Sequence, residues 1–490
     1  MTAVLRAVRD HRSLAAIFWA ACPVAMLWVL VVNGGPLVYF DSMSYAEQGH
    51  AVLDMVLSIL PVSGEAAGAA GAAAGGGGGD AETVNLTRSA VYSVLVDIAV
   101  RAERPLLVPM LAAAATFATA WLVARQVRGG EVPVAAMTAL PLVAAGTASL
   151  PFYVAYIMPD IYAPLLILSA GLLAVYRQSL TLREQLAAFA ILVLAVVLHP
   201  SHLLLAAGLV PVAALIGVIV ARRRWWIGAL ALVLAAGIGV AERKVVEMVA
   251  TSDGSTSAVY LPLLTARLIE DGPGYTYLAD NCPNRRIPSC ALYDRLQEGD
   301  DPMRLTATHI VFERSDELGS FQHLDLATQK AIGDTQVDFL RQVVLSRPFD
   351  MAGALIANTL EQARQVSIHM TIAAPRVVAD AEAAGIVSGA GRLSQDLDWL
   401  GPVRTAHTVI YALSLLAIAA LLVWPGALSR QHRALAVFVL LGILANAFVC
   451  GGISQPADRY GARVAWLLPF LATLLLLAAS ARRTGPEGAP

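Results

Sequence analysis

Ionisable and hydroxyl-bearing residues gather at four places where long apolar runs begin or end. The stretch YFDSMSY (39–45) follows the first run and carries Asp41 and Tyr45. MPDIYAP (158–164) sets Asp160 behind a proline at the head of another run. LHPSHLL (198–204) brackets a proline with His199 and His202, and PADRYGARV (456–464) brings Asp458, Arg459 and Tyr460 to the start of the last run. Two carboxylates can act as general bases toward a hydroxyl group or ligate a cation. Arginine and histidine can hold a phosphate and stabilise the charge that develops as it departs. Together the set suits group transfer from a phosphate tied to a lipid. Each residue also has a plainer use. Asp41 and Asp160 stand at helix starts, where a carboxylate caps the backbone or complements the helix dipole. The histidines sit at a proline turn, and Arg459 is placed to anchor to headgroups. What sets the group apart is that all four clusters fall at the same side of the apolar runs.

The elements that must position these residues are apolar helices. Of the 490 residues 57% are hydrophobic and 14% charged, with a mean hydropathy of +0.65; a soluble domain is nearer about 25% charged. The net charge of −2 excludes the basic footprint of a nucleic-acid partner. The fold class is all-α and polytopic, with about ten transmembrane helices expected near 14–34, 105–125, 132–150, 160–177, 184–199, 202–221, 225–241, 405–425, 434–453 and 464–481. The first run lacks a small-residue cleavage site and reads as a retained anchor. Arginines collect at alternate ends, as in Arg6, Arg9 and Arg12, in Arg222, Arg223 and Arg224, and in Arg482 and Arg483. By the positive-inside rule both termini are cytoplasmic and the four clusters face outward. Abundant alanine, and arginine in place of lysine, hint at a GC-rich bacterial genome, and with the apolar spans the expected location is a bacterial inner membrane. The outer short segments still carry Arg88, Arg101, Arg104, Arg459 and Arg463, which suggests an anionic ligand there.

The domains expected are an N-terminal membrane module (1–241), a mainly helical periplasmic domain (242–403), a C-terminal membrane module (404–483) and a cytoplasmic tail (484–490). The outer loop 35–104 holds a Gly/Ala-rich tract, 66–79, that reads as a flexible linker. After it, Ala90, Val91, Val94, Leu95, Ile98 and Ala99 recur at helical spacing, as in a helix lying on a membrane surface. Cys282 and Cys290 lie in the outer domain, where an oxidising compartment favours a disulfide. No histidine stands near enough in sequence to favour zinc.

Four of these passages resemble the GT-C superfamily, the multi-spanning glycosyltransferases that use polyprenyl-phosphate-linked sugars, and within it the protein mannosyltransferase and aminoarabinose transferase-like group. YFDSMSYAEQG looks like the family's first outer loop with its acidic catalytic residue, which places Asp41 there. The TRSAVYSVLVDIAV passage is similar to the family's stretch before the second span. MPDIYAPLLIL resembles its acidic helix start, which gives Asp160. DRYGARVAWLLPF resembles its late Arg-Tyr motif, which gives Arg459 and Tyr460. The resemblance covers the spans and not 243–403. This chain has a single Asp41 where relatives carry a paired acidic motif, and His-Pro-Ser-His where relatives often carry a lysine.

The resemblance implies an inverting transfer of a sugar from a polyprenyl-phosphate donor to an envelope glycan, lipid or protein acceptor on the outer face. Asp41 would deprotonate or orient the acceptor hydroxyl, and Asp160 would orient the acceptor or assist a divalent metal. Whether Asp41 and Asp160 hold such a metal stays open, and no other cofactor is implied. Arg459, with either His199 or His202, would stabilise the departing polyprenyl phosphate. Arg88 is a further phosphate ligand, and Tyr45 and Tyr460 complete the substrate contacts. Rival readings are a lipid-linked transporter or flippase, a polymer ligase of the envelope, and a membrane scaffold whose outer domain binds a partner. No Gly-x-Ser-x-Gly, His-Glu-x-x-His or P-loop pattern occurs.

Overall fold

The computed structural model describes residues 12–59, 83–85, 88–128, 132–221, 226–251, 257–282 and 287–483. The tract 66–79, Arg6, Arg9, Arg222, Arg223, Arg224 and the tail 484–490 lie outside them. The first helix, α1 (Arg12–Asn33), is followed by a hairpin of α2 (Phe40–Ile59) and α3 (Ala90–Arg101). Then come α4 (Leu107–Val127), α5 (Val134–Gly146), α6 (Leu150–Ala155), α7 (Tyr162–Val175), α8 (Leu182–Val197), α9 (Pro200–Ala221) and α10 (Ile227–Ala250). Short helices α11 (Leu263–Glu270), α12 (Pro273–Asn281), α13 (Cys290–Leu296) and α14 (Ala307–Phe312) lead to α15 (Leu326–Ser346), α16 (Pro348–Arg364) and α17 (Pro375–Ala383). The chain closes with α18 (Leu400–Val423), α19 (Arg430–Ile453), α20 (Asp458–Ala465) and α21 (Leu467–Arg483). The described strands, β1 (Thr83–Asn85) and β2 (Ser257–Val259), pair in parallel over three residues each.

This is an all-α membrane protein, and six of its described helices are long and apolar enough to cross a bilayer. They are α1, α4, α9, α18, α19 and the consecutive α20–α21 segment. The sequence reading of ten is corrected at 132–150, 160–177, 184–199 and 225–241. Helices α5 and α7 have 13 and 14 residues, and at about 1.5 Å per residue they fall short of roughly 30 Å of hydrocarbon. Helix α8 has 16 residues and opens on Arg183 and Glu184. Helix α10 is longer, but its last turns carry Glu242, Arg243, Lys244 and Glu247.

Helix α7 is the centre of the bundle. All of its residues are buried, as an all-round apolar helix requires. It packs against α4, α8, α9, α10 and α19. At the α19 contact a side chain on Gly442 would begin 2.5 Å from Ile167, so the two helices approach as closely as glycine allows. The α2–α3 hairpin is equally tight, with the Cβ position of Gly49 only 2.0 Å from the Ser93 carbonyl. Tyr92, Ser93, Val96 and Asp97 of α3 are buried, while Val91 and Ile98 of the apolar stripe remain exposed. The stripe read from sequence is thus divided: Ala90, Leu95 and Ala99 pack on the protein, while Val91 and Ile98 stay exposed.

The segment 242–403 divides between two cores. Ala266 to Met351 build one of their own around Leu268, Ile310, Phe321 and Phe339, and the Cys282–Cys290 disulfide joins it. Ile368, Val378, Ala381, Ile386 and Val387 instead join the core of the membrane helices. Between them α16 packs directly against α19.

A side chain on Gly451 of α19 would meet the Asn358 carbonyl of α16 at 2.5 Å, whereas nothing lies within 4 Å of the Cβ position of Gly353. Gly451→Val should destabilise the protein by about 1–3 kcal/mol through overpacking. Gly353→Ala should be neutral or stabilise by up to about 1 kcal/mol. Thermal unfolding of the detergent-purified variants tests the contrast; equal melting temperatures would mean that this helix contact is not tight.

Candidate functional site

The site is an ion cluster held where α2, α7, α3 and α20 converge. Asp160 lies in the 3₁₀ turn Pro159–Ile161 at the head of α7, so the most deeply buried helix delivers a carboxylate at its first turn. Arg459 and Arg463 stand four apart on α20 and share one of its faces. Asp41 lies in the first turn of α2, and Arg88 stands just before Ser89, which caps α3. The Ser89 hydroxyl accepts from Tyr92 N–H and also donates to the Val197 carbonyl at 2.7 Å. That bond ties the start of α3 to the end of α8.

Arg88 Nη2 donates to Asp41 Oδ1 at 2.9 Å, and Arg459 Nη1 lies 3.5 Å from Asp41 Oδ2. Arg459 Nε is 3.7 Å from Asp160 Oδ1, and Arg463 Nη1 donates to the same oxygen at 3.2 Å. Arg463 Nε and Nη2 also donate to Asn446 Oδ1 at 3.1 and 2.9 Å. Three guanidinium groups thus face two carboxylates. Tyr39 and Tyr460 flank Arg459, each with its ring centroid 4.9 Å from the guanidinium carbon. Arginine stacks on such faces while its N–H groups remain free to bond in plane.

Backbone anchors hold α20 in place. Tyr153 OH donates to the Arg459 carbonyl and Ser149 Oγ to the Ala462 carbonyl, both at 2.6 Å. Asn446 Nδ2 donates to the Tyr460 carbonyl at 2.8 Å. The Gln362 amide both donates to and accepts from the Ala457 backbone at 2.9 Å. Asp458 points away from the cluster and accepts from Ser367 N–H at 2.8 Å.

Access falls steeply across the cluster. The side chain of Asp41 is 31% exposed and that of Arg88 19%, whereas Arg459 is 6% exposed and Asp160 and Arg463 are fully buried. A ligand from outside therefore meets Asp41 and Arg88 first, then Arg459. Asp160 faces Arg459 and Arg463 through Oδ1, and its Oδ2 is buried without a hydrogen-bond partner. Burial acts to raise the Asp41 carboxyl, but Arg459 and Arg88 outweigh it and hold the group below the usual carboxylate range. Asp41 is thus an anion at neutral pH.

His199 meets the cluster at its buried end, through Ser201 and Arg463. Ser201 Oγ lies 2.8 Å from His199 Nδ1 and accepts from Arg463 Nη2 at 3.4 Å. Ser201 N–H also donates to His199 Nδ1, so the neutral ring carries its proton on Nε2. Burial, the neighbouring His202 and the Arg463 and Arg459 charges push His199 well below the usual histidine range. His202 is fully buried and its Nδ1 donates to the Ala195 carbonyl at 2.7 Å. Tyr45 is buried edge-on against Tyr92, with Arg88 6.0 Å from its ring centre. Tyr45 therefore lines the inside of the cluster, not its mouth.

The residues do not fit a bound divalent cation. Asp41 and Asp160 already face guanidinium groups, and among the described residues no group of three His, Cys, Asp or Glu side chains is placed to hold a metal. Arg101 is elsewhere, at the far end of the α2–α3 hairpin, bound to Asp54 and Asp97 at 2.6 and 2.7 Å. Arginines that orientation rules disfavour outside are thus accounted for by carboxylate partners at Arg88, Arg101, Arg459 and Arg463. Asn446, Ser201 and Tyr39 complete the site without having been singled out from sequence, and Arg463, expected there to meet an anionic ligand, is instead bonded to Asp160 and Asn446. The four-residue spacing of Arg459 and Arg463, and a lone amide inside the apolar run 434–453, were the available signals. No known family, no curated protein and no solved structure matches the chain.

Removing the buried partner should cost more than removing the accessible one. Asp160→Asn leaves Arg463 and Arg459 short of a counter-charge and should destabilise by about 3–5 kcal/mol. Asp41→Asn should cost roughly 1 kcal/mol or less. Asp160→Asn combined with Arg463→Met should recover part of the loss. Melting curves of the three purified variants check the order, and a larger loss at Asp41 would reverse the assignment of roles.

Proposed function

We propose that the protein is a membrane glycosyltransferase of GT-C-like organisation that moves a sugar from a polyprenyl-phosphate donor to an acceptor at the outer face. The observation that carries the reading is the accessible edge of the cluster: one partly exposed carboxylate, Asp41, between Arg88 and Arg459. Arginine pairs with phosphate oxygens in the same bidentate manner as with carboxylate. Apolar helices beside the site suit a polyprenyl chain. By the positive-inside rule, the arginine distribution along the sequence supports an outward-facing edge and cytoplasmic termini.

In the proposed reaction the acceptor hydroxyl oxygen attacks the anomeric carbon of the donor. The bond from that carbon to the phosphate oxygen breaks, and the configuration inverts. Asp41 accepts the hydroxyl proton as the new glycosidic bond forms. Arg88 and Arg459 stabilise the negative charge that the polyprenyl phosphate gains on leaving. Asp160 and Asn446 keep the arginines aligned, so that little reorganisation is needed when that charge appears. A polymer ligase would use the same arginines on a lipid phosphate, and differs in tolerating loss of Asp41.

Lipid mass spectrometry of native-host membranes tests the reading. Wild type, a deletion strain and the deletion carrying Asp41→Asn should be compared at matched protein abundance. Accumulation of a polyprenyl-phosphate sugar in both mutants is the expected result, and its mass names the sugar class. An unchanged lipid pool in the deletion strain would reject the transferase. Accumulation in the deletion alone would remove Asp41 as the base.

The pH dependence has a defined sign. Activity requires Asp41 as carboxylate and is lost as pH falls through its folded pKa, which Arg459 and Arg88 depress. Arg88→Ala removes one depressing charge, so the acid limb of the transfer rate should move to higher pH. A rate profile on purified enzyme with synthetic donor reads the shift, and an acid limb that stays in place would detach it from Asp41.

A further inference from the structure

Helix α16 lies in the segment read from sequence as an outer domain, yet its contacts run along a membrane-spanning helix. A Cβ on Gly452 of α19 would stand 2.7 Å from Leu355 Cδ2, and one on Gly451 would stand 2.9 Å from Gln362 Cβ. A Cβ on Gly461 would stand 1.8 Å from the Gln365 carbonyl. Gly461 follows Tyr460, whose carbonyl is bonded to Asn446 in the middle of α19. Leu355, Asn358 and Gln362 thus all lie at the Gly451–Gly452 level of α19, and only the chain after Gln362 reaches the Asn446 level.

The face of α16 that meets α19 carries Asn358 and Gln362, and both are buried. On the opposite face Ile356 is 61% and Leu360 52% exposed, with Ala352 and Ala363 beside them also exposed. Phe349 lies on the same side nearer the start of the helix and is exposed as well. Helix α19 has its own exposed apolar stripe of Val437, Leu444 and Phe448. Helical spacing makes Gly452 the next position on that stripe, and Gly452 is where Leu355 sits. The apolar outer surface of α19 thus continues onto the Phe349–Leu360 part of the outer face of α16, which ends at the exposed Glu361 and Arg364.

We propose that α16 is a membrane-seated helix, with Ile356 and Leu360 in the hydrocarbon of the leaflet that surrounds the Ile453 end of α19. The partner is the bilayer itself, because the exposed face is an extension of a spanning helix's apolar surface. Phe349 lies about 10 Å further along the helix axis than Ile356 and so approaches the headgroup layer. Gln362 on the inner face clamps Ala457, next to Asp458 and Arg459. Lipid contact with α16 therefore sets the depth of α20 and of its arginines. This inference does not depend on the reaction proposed above.

The test uses the full chain in lipid nanodiscs. Its native cysteines are either buried, Cys22 and Cys450, or paired, Cys282 with Cys290. Single variants Phe349→Cys, Ile356→Cys, Leu360→Cys and, as aqueous control, Glu298→Cys are labelled with an environment-sensitive fluorophore. Brominated lipid should quench the label at 360 and 356 strongly, at 349 weakly and at 298 not at all, while iodide shows the reverse order. Iodide quenching at 356 and 360 equal to that at 298 would overturn the proposal. Cross-linking between two copies at 356 or 360, without lipid quenching, would overturn it in favour of self-association.

Discussion

The rest of this structure depends on a buried ion pair, Arg463 with Asp160. Both side chains are fully withdrawn from water, which is costly unless the charges face each other and take further hydrogen-bond partners; Asp160 Oδ2 has none. Arg463 meets that demand through Asn446 and Ser201 as well as Asp160. The consequence is geometric. Asp160 belongs to the turn that starts α7, Asn446 to the interior of α19, and Ser201 to the first turn of α9. One guanidinium group therefore fixes the mutual position of three helices that apolar packing alone would allow to slide.

Helix α20 is the element through which this constraint reaches the accessible edge of the cluster. Its backbone is pinned by Tyr153, Ser149, Asn446 and Gln362, and its two arginines point into the cluster. Arg463 is spent on the interior. Arg459, one turn earlier, spans the two carboxylates and so couples the inaccessible Asp160 to the accessible Asp41. Burial and exposure thus divide like residues into unlike tasks, with Asp160 and Arg463 sealed inside, Asp41 partly exposed and the buried Arg459 linking the two carboxylates. That division favours the proposed chemistry, because a leaving phosphate needs donors already oriented by something other than the substrate.

The separate core around the Cys282–Cys290 disulfide makes few demands on this cluster, but the chain that follows it does. Helix α16 and residues 365–372 lie against α19 and α20, so the later part of the outer segment is a wall of the membrane bundle. Its amide and backbone groups satisfy the polar ends of α20, which would otherwise be buried without partners.

Composition and periodicity alone established a helical membrane protein, and the residue types at the ends of the apolar runs marked Asp41, Asp160, Arg459 and the histidine turn as a group. The reason is local: an apolar run of sufficient length and a charge at its end are both visible in one dimension. The number of spans was not visible in that way. A short helix buried by its neighbours, such as α7, is as apolar as one buried by lipid, and hydropathy does not distinguish the two. Nor did sequence separate the roles of Asp41 and Asp160, since both are aspartates near helix starts. Only packing decided that one is sealed beneath α20 while the other stands at the surface, because exposure is set by which helices close over a residue and not by the residue itself.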